Sequence, residues 1–231
     1  MENNETKKVD TRILAGDRYE WFYQSTGLPT KYMYEDIRLR PEKVDEKVFD
    51  SLQKIYNQCV YFFSRNGSIF ITSQNVGNGK TSWAIKIMKR YIQEYACYYH
   101  LDCLFINVAE FLELRKKSFN NPSEKSRFYE LEERVKNAKL VIFDDLAVGK
   151  LTDSEENFFY TIIDYRWRNG KSGIYTTNVY PAELKNMIGE RTVDRIVNDK
   201  NTIRIWLQGS SRRGAPTPAP VKPTKNEEEV F

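Results

Sequence analysis

One stretch of the sequence, residues 68–82, constrains the fold more than any other. It begins with a short apolar run, Ser68–Thr72, continues through small and polar residues that include two glycines, and ends in Gly-Lys-Thr-Ser. A buried strand, a tight turn and the start of a helix are expected in that order. Such a turn directs several backbone N–H groups at one point, and a lysine and a hydroxyl beside it complete a site for phosphates and Mg²⁺. The stretch therefore predicts a phosphate-binding loop in an α/β fold.

The loop matches the pattern G-x-x-x-x-G-K-[ST] except at its first position, where Gln74 replaces glycine. This departure bears on nucleotide affinity and leaves the phosphate end of the motif intact. Lys80 is expected to reach the β- and γ-phosphates, and Thr81 to ligate Mg²⁺. The residues expected to bind nucleotide are Asn75, Val76, Gly77, Asn78, Gly79, Lys80, Thr81 and Ser82.

A second apolar run, Leu140–Asp144, ends in two carboxylates, those of Asp144 and Asp145. Parallel α/β sheets bind ligands at the carboxyl ends of their strands. We expect Asp144 to hold Mg²⁺ directly or through water, and Asp145 to orient the attacking water. Glutamate takes the second role more often, and the shorter Asp145 favours slow hydrolysis. Taken alone, two aspartates are also typical of the start of a loop.

Three more apolar runs, at residues 103–108, 172–178 and 202–207, complete five predicted strands. Asn178 ends one of them and is expected to contact the γ-phosphate or the water beside it. The alternative is a turn residue before Pro181. Helices are predicted at 81–95, 109–118, 124–137, 152–166 and 181–188, and from residue 189. A further helix from Pro41 is expected to bury Val44, Val48, Leu52, Ile55, Cys59 and Phe63.

Composition places the chain among folded proteins. It has 231 residues, of which 40% are hydrophobic, enough to form a sizeable core. The net charge of +4 permits nucleic-acid contact without requiring it. The three cysteines lack metal-ligand spacing, so we expect reduced thiols and a cytoplasmic location. No apolar run is long enough to span a bilayer, so we expect no membrane contact.

The chain divides into three segments by composition. Residues 1–38 are polar and then aromatic, and are expected either to dock a partner or to pack on the main domain. Residues 39–213 hold the motifs, and 214–231 are a proline-rich acidic tail predicted to be disordered. A basic and aromatic cluster at 115–119 has two interpretations, a grip on single-stranded nucleic acid or a solvated helix end.

With the phosphate loop, Asp144-Asp145, Thr176-Thr177-Asn178, Gly189–Ile196 and Gly209–Arg213 in this order, the chain resembles the DnaC/DnaI-type replicative helicase loaders. These are ATPases of the AAA+ class, and the resemblance covers about residues 28–213. It implies an α/β P-loop NTPase core with a parallel five-stranded sheet of order 5-1-4-3-2, flanked by helices. It also implies ATP and Mg²⁺ as cofactors, bound between the subunits of a homo-oligomer.

The resemblance assigns roles by position. Asp144 resembles the Mg²⁺ ligand, Asp145 the catalytic acid and Asn178 the first sensor. Arg195, or alternatively Arg191, resembles the arginine finger that reaches a neighbouring subunit's ATP. Arg212, with Arg213 as its rival, resembles the second sensor. A finger supplied in trans is worth ~10³–10⁵ in rate, so assembly or DNA is expected to stimulate a slow ATPase.

The function implied is ATP-dependent loading of a replicative helicase onto single-stranded DNA, with hydrolysis releasing the helicase. Such loaders usually carry an N-terminal helicase-binding domain, for which the segment before Leu28 has no room, so the chain resembles compact phage or mobile-element versions. An IstB-like transposition helper ATPase and a non-hydrolysing, ATP-gated DNA-binding scaffold remain alternatives. A small-molecule kinase fits less well, because no arginine-rich lid is evident.

Overall fold

The computed structural model describes residues 23–34, 37–95, 103–147 and 149–212. Its five strands are β1 (Ser68–Thr72), β2 (Cys103–Asn107), β3 (Leu140–Asp144), β4 (Ser172–Thr177) and β5 (Thr202–Trp206). They form one sheet of order β2-β3-β4-β1-β5 in which every neighbouring pair is parallel. The predicted fold class and strand order are confirmed.

Helices cover both faces of the sheet. They are α1 (Thr30–Tyr34), α2 (Glu46–Asn57), α3 (Cys59–Ser64), α4 (Lys80–Tyr95), α5 (Val108–Ser118), α6 (Pro122–Asn137), α7 (Asp153–Arg168), α8 (Pro181–Ile188) and α9 (Glu190–Val197), with a 3₁₀ turn at Lys43–Asp45. One apolar cluster joins α2, α3 and α4 to one face, and a second joins α5 to α9 to the other. Successive strand residues alternate between the two, as Ile69 and Phe70 do, because side chains of a strand point to opposite faces.

The predicted helix from Pro41 is wrong in its start and its continuity. Residues 43–45 form a 3₁₀ turn, and α2 begins only at Glu46. The helix then ends at Asn57, and Gln58 separates it from α3. Val44 is 54% exposed, and the neighbouring Asp45 is fully buried in its place. The carboxylate tolerates burial because it accepts hydrogen bonds from the backbone N–H groups of Gln208 and Gly209, both at 2.8 Å.

The remaining apolar positions of that pattern lie inward. Leu52, Ile55, Cys59 and Phe63 are buried, and Val48 is partly buried against the same cluster. The periodicity therefore identified most of the inward face. It was wrong at Val44, which is exposed while the neighbouring Asp45 is buried.

The segment before the 3₁₀ turn packs on the main core where it is described. Tyr23 and Leu28 are buried in the cluster under α4, and the backbone N–H of Phe105 donates to the carbonyl of Thr26 at 2.7 Å. The aromatics Tyr19, Trp21 and Phe22 lie outside the described residues, as do Arg213 and the 214–231 tail.

A fully buried arginine, Arg166 of α7, joins three backbone segments. Its guanidinium donates to the carbonyls of Val135, Ala138 and Ser172, the second at 3.0 Å. Burial lowers its pKa to about 10, which leaves it charged at neutral pH. The guanidinium thus connects the C-terminal end of α6 to the start of β4.

The described cysteines, Cys59 and Cys103, are buried reduced thiols, as predicted. Burial, followed by the charge of Glu94, raises the pKa of Cys59 to about 12, so this thiol stays protonated. Cys97 and His100 lie outside the described residues. Within the part of the chain that the structure describes, no helix combines the length and apolarity needed to cross a membrane.

Candidate functional site

The loop between β1 and α4 depends on its two glycines. Gly77 and Gly79 have φ angles of 80° and 104°, values that side chains with a Cβ rarely adopt. A Cβ on Gly79 would also lie 3.3 Å from a methyl carbon of Leu39. The turn is thus built as the motif predicted, and Gln74 is exposed at its outer side.

Lys80 opens α4 and is only 7% exposed. Its ammonium nitrogen lies 3.0 Å from the carbonyl oxygen of Asn75, and 3.4 Å from both the Ser73 carbonyl and Asn78 Oδ1. The side chain of Asn78, fully buried, donates to Ser73 Oγ at 2.6 Å and so fixes the base of the loop. The lysine charge is therefore held against the loop that precedes it.

Thr81 and Asp144 meet at the carboxyl ends of the strands. Thr81 Oγ1 donates to Asp144 Oδ1 at 2.8 Å, and Thr176 Oγ1 of β4 donates to the same oxygen at 2.6 Å. Burial raises the pKa of Asp144, against the threonine hydrogen bonds that lower it, and the charge of Asp145 adds to the rise. A cation placed here would offset the unfavourable burial of the carboxylate.

Asp145 and Asn178 also lie together. Asp145 has a φ of 57° and its backbone N–H donates to Thr176 Oγ1 at 3.0 Å. Asn178 Nδ2 donates to Asp145 Oδ1 at 3.2 Å. The structure therefore brings the predicted catalytic acid and first sensor into direct contact, beside the Thr81–Asp144 pair.

These groups fit a nucleotide and Mg²⁺ by their chemistry. A hydroxyl and a carboxylate supply hard oxygen ligands, and Mg²⁺ in nucleotide sites completes its shell with phosphate oxygens and water. Among the residues described, no group of three His, Cys, Asp or Glu could hold a metal alone.

Arg191 and Arg195 lie on α9, where their side chains contact α7. Arg195 Nε donates to Asp164 Oδ1 at 3.2 Å, and its guanidinium lies 4.5 Å from the ring centroid of Trp167. Arg191 lies 4.3 Å from the Tyr160 ring. These contacts of both arginines are with α7, not with the phosphate loop.

Arg212, in contrast, contacts the loop directly. Its backbone N–H donates to the carbonyl of Gly77 at 2.9 Å, and its guanidinium donates to the carbonyl of Asn78. The same guanidinium binds Asp45 Oδ2 at 3.2 Å. Sequence reasoning missed Asp45, which no local sequence pattern marks.

The basic cluster at 115–119 contacts α7. Lys116 pairs with Glu155 at 2.9 Å, and Arg115 lies 4.5 Å from the Phe158 ring, while Phe119 is 67% exposed. The Thr152 hydroxyl and backbone, followed by Lys116, lower the pKa of Glu155 to about 2. Part of the cluster thus stabilises the fold, and Phe119 remains available at its end.

Comparison with known proteins agrees with this geometry. No family model matches the chain. It is 26% identical over 139 residues to the replicative helicase loader DnaC of Escherichia coli K12, a match covering 60% of this chain and 54% of that protein. The chain therefore spans about half the length of the curated relative it matches.

Two solved structures have the same fold. A crystal structure of the DnaC helicase loader superposes with a TM-score of 0.62 at 19% identity, covering 77% of this chain and 99% of that one. A crystal structure of DnaI gives 0.65 at 17% identity, covering 85% and 100%. Sequence and fold together confirm the resemblance predicted from the motifs: the chain has the AAA+ fold of the DnaC/DnaI-type helicase loaders.

Proposed function

We propose that the chain is an ATP-dependent replication protein that loads a replicative helicase onto single-stranded DNA. The observation that carries the proposal is the convergence of Lys80, Thr81, Asp144, Asp145 and Asn178 at one edge of a parallel sheet, in a chain similar to DnaC. ATP binds at the loop and Mg²⁺ accompanies it.

Each residue has a stated role in this proposal. The loop N–H groups and Lys80 would bind phosphate oxygens, and Thr81 and Asp144 would hold Mg²⁺, which would neutralise charge on the phosphates. Asp145 and Asn178, joined at 3.2 Å, orient the water that attacks the γ-phosphate. The water oxygen bonds to phosphorus, the bond to the β-phosphate oxygen breaks, and ADP and phosphate leave.

The oligomer completes the site. Arg195, or alternatively Arg191, contacts α7 in its own subunit and supplies a positive charge to the ATP of a neighbouring copy. In this proposal the chain works as a homo-oligomer and is cytoplasmic, and hydrolysis releases the helicase. Phe119, exposed beside Lys117, is a candidate contact for single-stranded DNA.

A non-hydrolysing scaffold is the second candidate, favoured by Gln74 in place of the first glycine of the loop motif and by the short side chain of Asp145. Asp145→Asn separates the two, because it traps a loader in its ATP state and leaves a scaffold's function unchanged.

The test of the proposal is ATP turnover with and without single-stranded DNA over a range of protein concentrations. We expect turnover per subunit to rise with concentration or DNA, and Lys80→Ala to abolish it. ATP binding with no turnover under any condition would overturn the hydrolytic loader.

Co-purification identifies the partner. Retention of a replicative helicase in the ATP state supports loading, and retention of a transposase instead would assign the chain to the IstB-like helpers.

A further inference from the structure

The loop that we propose binds phosphate is held by a network that no motif contains. Asp45, fully buried, accepts hydrogen bonds from the backbone N–H groups of Gln208 and Gly209 and from the Arg212 guanidinium. Arg212 in turn donates to the carbonyls of Gly77 and Asn78. The chain thus links its 3₁₀ turn to the loop through the segment after β5.

The network is built for this contact. A Cβ on Gly209 would lie 2.3 Å from Asp45 Oδ2, so the carboxylate can approach only because this residue is glycine. Asn75 Nδ2 donates to the carbonyls of Gln208 and Gly209 at 2.8 and 3.0 Å, which joins the same segment to the loop a second time. The segment after β5 is therefore joined both to Asp45 and to the loop, and Arg212 contacts each of them.

The contact fixes the direction of two loop amides. In a planar trans peptide the C=O and N–H groups point in opposite directions. Arg212 holds the carbonyls of Gly77 and Asn78, so the N–H groups of Asn78 and Gly79 face the other side of the loop. Each of these two peptides adjoins a glycine, whose conformational freedom would otherwise permit the peptide to flip.

We propose that Asp45 is a positioning residue for the nucleotide site. Its carboxylate orients the Arg212 guanidinium, which holds the Asn78 carbonyl, while the Arg212 backbone N–H holds the Gly77 carbonyl. Together these contacts keep two loop amides turned toward the phosphates. This positioning role rests on the proposed nucleotide binding. For Arg212 it differs from direct contact with the γ-phosphate. Because those amides would serve phosphates that ADP and ATP share, losing the network weakens both nucleotides equally.

The experiment measures affinity of the full chain for ADP and for a non-hydrolysable ATP analogue. The variants are Arg212→Ala, Asp45→Asn and the double variant, with Glu42→Gln as the matched control, since Glu42 binds Ser210 in the same segment. We expect each single variant to lose about tenfold for both nucleotides, the scale of one charge-assisted hydrogen bond. The double variant should lose no more than Arg212→Ala alone, and Arg212→Lys should recover part of the loss.

Several results would overturn the proposal. A loss confined to the ATP analogue would make Arg212 a γ-phosphate contact, and additive losses would separate Asp45 from it. If Asp45→Asn fails to fold, Gly209→Ala replaces it, because its Cβ would displace the Asp45 carboxylate; unchanged ADP affinity in that variant would overturn the role of Asp45. Wild-type chain that binds neither nucleotide overturns the proposed function itself, whereas normal binding in the wild type and in all variants overturns only the positioning role.

Discussion

If Arg195 serves the ATP of a neighbouring subunit, as we propose, Asp164 competes with that subunit for it, and removing the charge of Asp164 should make assembly easier. In the single subunit, Arg195 pairs with Asp164 at 3.2 Å and with Asp194 at 2.9 Å. If Arg195 acts on the ATP of a neighbour, the Asp164 contact must open first. Asp164→Asn removes the charge while keeping the size of the side chain.

The expected size follows from the burial of the pair. Its two side chains are 27% and 14% exposed, so we assign the pair about 1 kcal/mol, the upper end of the range for surface ion pairs. If this cost no longer has to be overcome once per interface, the protein concentration that gives half-maximal ATPase activity falls about fivefold.

The assay is ATP turnover per subunit against protein concentration. Asp50→Asn, exposed on α2, is the charge-matched control and should leave the curve unchanged. Arg168→Ala should shift the curve the other way, because Arg168 shares Asp164 at 2.8 Å and its loss leaves Asp164 to Arg195. An Asp164→Asn curve that is unchanged, or that reaches a lower maximum, would refute the release of Arg195.

Three further predictions concern stability. Asp144→Asn should raise the melting temperature while abolishing ATP turnover, because burial raises the pKa of Asp144 and the folded state therefore disfavours its charge. Glu155 has a pKa of about 2 in the folded protein against an ordinary 4.5, so its contribution to the free energy of unfolding is complete above pH 4.5 and is lost as the pH falls toward 2. Glu155→Gln should therefore flatten the dependence of the unfolding free energy on pH in that range. Arg166→Met should reduce the free energy of unfolding by about 3 kcal/mol or more in urea titration, because three buried carbonyls lose their donor.

Each of these has a result that would contradict it. An Asp144→Asn protein that melts below the wild type would mean that the carboxylate stabilises the apo fold. Parallel acid unfolding of Glu155→Gln and wild type would exclude Glu155 as a source of the pH dependence. An Arg166→Met protein as stable as the wild type would show that the carbonyls find other partners.

The strands and the loop could be predicted because their signals are local. Leu140–Asp144 is buried along its whole length, and its first four residues form a continuous apolar run. The phosphate loop is defined by residue types at fixed spacing. Parallel strands place their ends at one edge, so the contacts of Thr81 with Asp144 and of Asp145 with Asn178 follow from motif order.

The supporting contacts could not be predicted, since they depend on residues distant in sequence. The buried Asp45 carboxylate is stabilised by the backbone N–H groups of Gln208 and Gly209, and no sequence pattern around residue 45 indicates these partners. An apolar periodicity instead favoured Val44, which is exposed. The position of Arg212 beside the loop likewise depends on tertiary packing after β5.

Mixing two inactive variants tests the shared site most directly. Lys80→Ala removes the nucleotide site and leaves Arg195, whereas Arg195→Ala does the reverse. We predict that each is inactive alone and that an equal mixture regains turnover, since about one interface in four of a randomly mixed closed ring joins an intact loop to an intact arginine. A mixture that co-assembles and stays as inactive as its components would contradict an ATPase site completed between subunits.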